Sequence, residues 1–287
     1  MEIGIGLPAT IPGVTGDELT EWARRADGGS FSSLGTIDRI VYPNYEPLIA
    51  LAAAAAVTSR IKLLTSVLLS PLRLNTALFA KQAATLHHLS GGRLVLGLGI
   101  GGRDDDFDVS GADMSSRGRV FDRQLEEMRR IWDGEEKGLA GPVGPNLNEP
   151  PTLIIGGSVD ASFRRAAEHG AGWIMGGGTP DQFRQGVEKL NAAWQAAGRS
   201  GEPRSMALAY YSLGDEAERN ADSYLRDYYA FLGEDLAGMI AGSAAKDADT
   251  VKQYIAAFEQ SGADEVVFFP SSSDPEQVDL LAEAAGI

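Results

Sequence analysis

Short apolar runs recur along the whole chain, and each is followed by a stretch with helical periodicity. No other feature narrows the fold as far. The runs are Glu2–Leu7, Phe31–Ile37, Ile61–Leu68, Arg93–Gly101, Leu153–Gly157, Gly172–Met175, Ser205–Leu213 and Asp264–Pro270. They do not alternate strictly with polar residues, as is usual for parallel strands covered by helices. The intervening stretches carry helix signals. Thr15 and Glu18 form a capping-box pair ahead of Leu19, Trp22, Ala23 and Ala26. Phe121, Leu125, Met128, Ile131 and Trp132 share one face of a helix over 117–132. Thr179 followed by Pro180 marks another helix start. Eight such units in 287 residues, with no composition break, predict an α/β fold: a (β/α)8 TIM barrel forming one domain over residues 1–287. Helical stretches at 215–232 and 234–241 predict an insertion between strands 7 and 8. An open doubly wound sheet ranks second, because the alternation continues to the C-terminus.

The fourth run leads into Arg93–Gly111, which reads RLVLGLGIGGRDDDFDVSG. Its glycines let main chain approach a ligand or adopt positive φ. Gly97, Gly99 and Gly102 match G-x-G-x-x-G. That fingerprint binds dinucleotides only where a helix opens directly after it. Here the acids Asp104, Asp105, Asp106 and Asp108 follow, and the next apolar period begins near Val120. The stretch therefore reads as a strand ending in a charged loop, not as a Rossmann turn. Residues 134–152, rich in Gly and Pro, read as the least structured segment.

Composition removes several classes of function. The net charge of −15 argues against nucleic-acid or anionic-membrane binding, which need a positive surface. No cysteine is present, so thiolate metal sites and cysteine nucleophiles are excluded. A cytoplasmic location is the expectation. The longest apolar block, 48–57, is too short to span a bilayer.

In a barrel of this kind the site lies at the carboxyl ends of the strands. Those ends offer Asp38 and Arg39, Thr65 and Ser66, the glycines and Arg103, Gly156–Ser158, Gly176–Gly178, Tyr210–Ser212 and Ser271–Ser273. His87, His88 and His169 all fall late in helices, away from these ends, so no metal site is expected. No lysine stands at a strand end for Schiff-base chemistry. A mouth rich in backbone donors and hydroxyls, and poor in acid–base groups, suits an enzyme whose cofactor carries the chemistry. Gly156–Gly157–Ser158 opens into a helix, an arrangement that can hold a phosphate.

Four segments, KQAATLHHLSGGRLVLGLGIGGRDDDFDVSG, RGRVFDRQLEEMRRIWDG, PPTLIIGGSVDASFRRAAEHGAGWIMGG and GADEVVFFP, occur in this order. Together they closely resemble the bacterial luciferase-like flavin-dependent oxidoreductases. The resemblance implies a barrel that binds FMN or coenzyme F420 at the strand mouths. By position it implies a non-proline cis peptide at Ser66–Val67 against the middle flavin ring, and a cofactor-contacting role for Asp38. It places Ile100 and Gly101 where the chain passes the ribityl tail and phosphate, and Gly156, Gly157 and Ser158 at the phosphate-binding turn.

There are departures. Where deazaflavin-dependent sugar-phosphate dehydrogenases of the family carry a histidine and a glutamate, this chain has Arg39 and Gly102. Arg103 is the candidate charge facing substrate or phosphate; the alternative is an ion pair with the acids that follow it. The implied activity is monooxygenation of a small organic substrate with reduced FMN and oxygen. F420-dependent hydride transfer is the alternative, and a flavin-binding protein without turnover is the alternative of another class. A separate flavin reductase and a homodimer are the partners the resemblance implies.

Overall fold

Eight parallel strands close on themselves. They are β1 (Glu2–Gly6), β2 (Ser33–Thr36), β3 (Lys62–Thr65), β4 (Leu94–Gly99), β5 (Thr152–Gly156), β6 (Gly172–Met175), β7 (Arg204–Tyr211) and β8 (Glu265–Pro270). β1 pairs with both β2 and β8, placing Ile5 opposite Leu34 on one side and Phe268 on the other. β3 closes the ring against β4, with Leu63 opposite Leu94 and Leu64 opposite Val95. The computed structural model describes all residues 1–287. The expected (β/α)8 barrel is present.

The barrel is a filled core. Leu64, Ile154, Ile174, Met206, Leu208, Val267 and Phe269 form its interior cluster. Phe269 takes space that β1 and β2 leave bare. A Cβ on Gly6 would lie 2.4 Å from its ring, and one on Gly35 would lie 2.9 Å away. At the amino ends of the strands, buried Glu265 accepts hydrogen bonds from the Ser32 and Ser33 hydroxyls and from Arg204. This pins the bottom of the barrel, the end that serves stability rather than catalysis.

Helices surround the strands: α1 (Gly16–Gly28), α2 (Pro47–Ala55), α3 (Thr76–Leu89), α4 (Asp104–Ser110), α5 (Arg117–Trp132), α6 (Asp160–His169), α7 (Pro180–Ala196), α8 (Ala217–Tyr228), α9 (Glu234–Gly242), α10 (Ala248–Gln260) and α11 (Glu276–Ala285). The capping box at Thr15 forms as expected, and α1 buries Leu19, Trp22, Ala23 and Ala26. Such caps contribute about 1 kcal/mol each. The α8–α9 pair forms the insertion between β7 and α10. No helix is long and apolar enough to cross a membrane.

Three expectations about local structure need correction. The acidic run after β4 is a helix, α4, not a loop. Three aspartates occupy its first turn, where free N–H groups and the helix dipole favour negative charge. Asp106 and Phe107 anchor it by burial, and Gly111 at φ +71° ends it. The third strand is also shorter than its apolar run. It stops at Thr65, and pairing with β4 resumes only at Leu68–Leu69. Finally, residues 134–152 contain a small antiparallel hairpin, with Lys137 opposite Pro142.

Candidate functional site

The break in the third strand shapes the site. The Ser66–Val67 peptide bond is cis. The Ser66 N–H donates to Thr36 O at 2.7 Å, and its hydroxyl is buried with no hydrogen-bond partner. The Thr65 carbonyl and the Val67 methyls turn toward β4 and β5. A Cβ on Gly97 would meet Thr65 O at 1.9 Å, one on Gly99 would meet Val67 Cγ2 at 2.6 Å, and one on Gly156 would meet Val67 Cγ1 at 2.9 Å. Packing of this bulge therefore explains glycine at 97, 99 and 156 before any ligand is considered. Gly101 differs: it holds φ +72°, with Leu69 and Phe107 closing around it. Gly102 faces open space.

Asp38 ties the end of β2 to the segment after the bulge. Its side chain is almost fully buried, and Oδ2 accepts from the Leu69 N–H at 2.8 Å and from Arg73 Nη1 at 2.7 Å. Arg103 is engaged within the protein. Its Nε pairs with Asp106 Oδ2 and its Nη2 donates to Asp38 O, both at 2.7 Å. Asp106 is fully buried, and its other oxygen accepts from the N–H groups of Ile40 and Val41. The second of the two readings of Arg103, an ion pair inside its own segment, is the arrangement present.

Across the mouth, Gly157 at φ +125° and Ser158 carry the chain from β5 into α6. The Gly157 carbonyl accepts from Trp173 Nε1 at 2.6 Å, which fixes the turn. No side chain caps α6. The N–H groups of Gly157, Ser158, Asp160 and Ala161 have no acceptor in the protein, nor do those of Gly177 and Gly178 after β6. Both turns are exposed. A cavity of about 330 Å³ lies between them, bounded by Ser158, Trp173, Gly177, Gln182 and Lys189. Bare donors at a helix N-terminus suit a phosphate.

The sequence reading missed the aromatic cover. Tyr224, Tyr228, Tyr229 and Phe231, from α8 and the turn after it, gather with Tyr42 and Tyr210. Its signal in the sequence is YLRDYYAF at 224–231, four aromatic residues crowded into one helical stretch. Two strand-end arginines hold this cover down. Arg39 Nη1 donates to Tyr228 O at 2.7 Å, and its guanidinium lies 4.8 Å from the Tyr42 ring centroid. The guanidinium groups of Arg39 and Arg103 lie 5.4 and 5.3 Å from the Phe231 centroid. Burial, above all, raises the phenol pKa values of Tyr210, Tyr224 and Tyr229, so these groups stay neutral.

His87 and His169 lie on the outer helices, and burial lowers both their pKa values. No group of three or more His, Cys, Asp or Glu residues is placed to hold a metal ion. Thr36, Ser66, Ser212 and Ser271, all at or just past strand carboxyl ends, carry buried hydroxyls without partners.

Comparison with known proteins agrees with this architecture. The chain is 34% identical over 192 residues to the uncharacterized protein Rv0953c of Mycobacterium tuberculosis, covering 62% of this chain and 66% of that protein. It is 26% identical over 220 residues to the pyrimidine monooxygenase RutA of Cronobacter sakazakii, covering 71% of this chain and 63% of that protein. The chain thus spans about two thirds of the length of the curated relatives it matches. Among solved structures, an F420-dependent secondary alcohol dehydrogenase in complex with an F420–acetone adduct superposes with a TM-score of 0.82 at 19% identity, over 99% of this chain and 98% of that one. The monooxygenase RslO1 from Streptomyces bottropensis superposes with a TM-score of 0.76 at 22% identity, over the same shares of the two chains. The family described as luciferase-like monooxygenase matches residues 1–278. With that match spanning nearly its whole length, the chain belongs to the luciferase-like monooxygenase family.

Proposed function

We propose that this protein is a flavin-dependent oxidoreductase that uses reduced FMN and oxygen to oxygenate a small organic substrate. The observation that carries this reading is the pairing of the two walls of the mouth. One wall is the ridge at Ser66–Val67 with its unpartnered hydroxyl. The other is the set of free N–H groups from Gly157 to Ala161. These residues fit a flavin mononucleotide: an apolar ridge for a ring, a spare hydroxyl for a ring heteroatom, and backbone donors for a phosphate. Bound there, the reduced cofactor would supply two electrons to oxygen or to substrate.

The chain's own residues have separate tasks in this reading. Gly157 and Ser158 hold the phosphate, with Gly156 and Trp173 fixing the turn. Ile100 and Gly101 line the path between ring and phosphate. Asp38 positions the ridge through Leu69. Arg39, Arg103 and the tyrosines keep water from the mouth, which matters for reactive oxygen chemistry. Arg103 serves here as a strut rather than as a substrate contact.

Hydride transfer with F420 is the second reading. It is favoured by the cavity beyond Ser158, where Lys189, paired at 3.3 Å with the exposed carboxylate of Asp160, stands beside the path of a longer anionic tail. A separate flavin reductase would supply reduced FMN under the first reading and is not needed under the second. We also propose a homodimer. The adjoining helices α2 and α3 expose Ile49, Ala52 and Leu78, and Leu74 just before α3 is exposed as well, an apolar face suited to a second copy. Oxygen uptake with reduced FMN and a substrate panel tests the activity: uptake coupled to product supports it, and flavin binding without turnover would leave a binding protein.

A further inference from the structure

The insertion encloses a second space beside the mouth. A cavity of about 690 Å³ lies between Gly176–Gly178 after β6, Tyr210 on β7 and the helices α9 and α10. It shares Gly177 and Gln182 with the cavity at Ser158, so the two spaces adjoin. No residue lining it is charged. Charged residues make up 23% of the chain, so their absence from a seventeen-residue lining sets this space apart. Leu232, Leu236, Met239 and Ile240 form its insertion wall.

Its polar groups are mostly spoken for. Tyr254 donates to Ser243 O, and the Ser243 hydroxyl donates to Ile240 O. Thr179 and Gln182 bond each other in the α7 capping box. Among the side chains, that leaves Tyr210 and Tyr229, whose hydroxyl oxygens lie 2.7 Å apart; the free N–H groups of Gly177 and Gly178 lie at the edge shared with the cavity at Ser158. Two hydroxyls hold two hydrogens, and the bond between them uses one. The second hydrogen has no acceptor in the protein.

We propose that this cavity is the substrate chamber, and that it takes an uncharged, mainly apolar molecule bearing one hydrogen-bond-accepting oxygen, such as a ketone, held by the Tyr210–Tyr229 pair. Its place in the reaction rests on the flavin reading of the adjoining site; its choice of ligand does not. A carboxylate or a phosphate ester would lose hydration there and meet no cation. A polyhydroxylated molecule would leave most of its hydroxyls unpaired, since the apolar insertion wall offers them no partner. The chamber thus selects against sugar phosphates and free acids.

The test uses the protein without cofactor. The neutral probe N-phenyl-1-naphthylamine is bound, then displaced by 2-acetylnaphthalene, 2-ethylnaphthalene or 2-naphthoate. The ketone is expected to displace the probe at a roughly tenfold lower concentration than the carboxylate, which must shed its hydration. Its advantage over the ethyl compound is about fivefold, the worth of one hydrogen bond. Tyr229→Phe keeps that advantage, because Tyr210 retains a donor. Tyr210→Phe combined with Tyr229→Phe loses it, and removing both partners of a hydrogen bond leaves the fold stable. Met239→Glu, at an exposed position in the wall, weakens probe binding at least about tenfold by placing a charge in the chamber. Equal displacement by naphthoate, or unchanged probe binding in Met239→Glu, would overturn the proposal. So would displacement of the bound ketone by FMN, which would make the space part of the cofactor's own bed. Ketone preference in a protein that binds no flavin would sink the cofactor reading and uphold the chamber.

Discussion

Val67 occupies the place where a side chain on Gly99 would begin: an added Cβ would lie 2.6 Å from its Cγ2. The same side chain closes over Gly156, so one residue of the β3 bulge sets the composition of two neighbouring strands. Gly99→Ala is expected to cost about 1–3 kcal/mol, since Val67 must shift. Gly97→Ala is worse, because the obstacle is the Thr65 carbonyl at 1.9 Å, which is backbone. Gly102→Ala, in open space, stays within about 0.5 kcal/mol of the parent. Urea unfolding of the three variants checks the order. A Gly102→Ala loss matching that of Gly97→Ala would contradict it.

Asp106 is the keystone of the acidic run. It meets Arg103 and two backbone N–H groups from 40–41, while Asp108 is exposed. Asp106→Ala strands a guanidinium that is only 13% exposed, which costs about 3–5 kcal/mol. Asp108→Ala changes stability by less than about 0.5 kcal/mol. Similar unfolding midpoints for the two variants would show that the ion pair contributes nothing.

How much of this could be read beforehand follows from what each signal depends on. The eight strands and their helices were readable because burial on both faces of a parallel sheet leaves short apolar runs that local pattern detects. The helix α4 was not: it is short and acidic, and Phe107 is its one buried large apolar side chain. Glycines 97, 99 and 156 stand out in the sequence, but the groups that pack against them, Thr65 and Val67, lie in another strand and cannot be read from the local pattern. The bond at Ser66–Val67 entered through family resemblance, since nothing in LLTSVL marks it physically. The grip of Arg39 and Arg103 on Tyr228 and Phe231 joins strand ends to an insertion far along the chain, a pairing that periodicity cannot see.

The phosphate turn can be tested through its glycine. At φ +125° a β-branched residue is strained, and its Cβ would also strike Ser162 Oγ at 2.3 Å. The parent protein is expected to bind FMN at least about tenfold more tightly than riboflavin, the phosphate supplying the difference. Gly157→Val should bring the two affinities together. An unchanged FMN preference in fluorescence titrations would remove Gly157–Ser158 from the site.

The buried tyrosines make stability depend on high pH in a defined direction. Burial raises the phenol pKa values of Tyr210, Tyr211, Tyr224, Tyr228 and Tyr229 in the folded protein. In the unfolded chain the same groups ionise near the ordinary value of about 10. Above that pH the unfolded state binds fewer protons than the native state, so stability falls as pH rises. Below it, both states are neutral and this contribution is fully present. The larger part of the phenolate absorbance, that of these five among the eight tyrosines, should rise in one step with loss of the fold. A smooth rise centred on the ordinary value, with the fold retained, would mean that these rings are exposed.

In the proposed flavin site, the ridge at Ser66–Val67 takes the ring and the free N–H groups of Gly157–Ala161 take the phosphate. The direct measurement is titration of the cofactor-free protein with oxidised FMN and, separately, with oxidised F420, following the quenching of each cofactor's fluorescence. Binding of at least one with a dissociation constant below about 100 μM is the expected result. Binding of neither in that range would contradict the account.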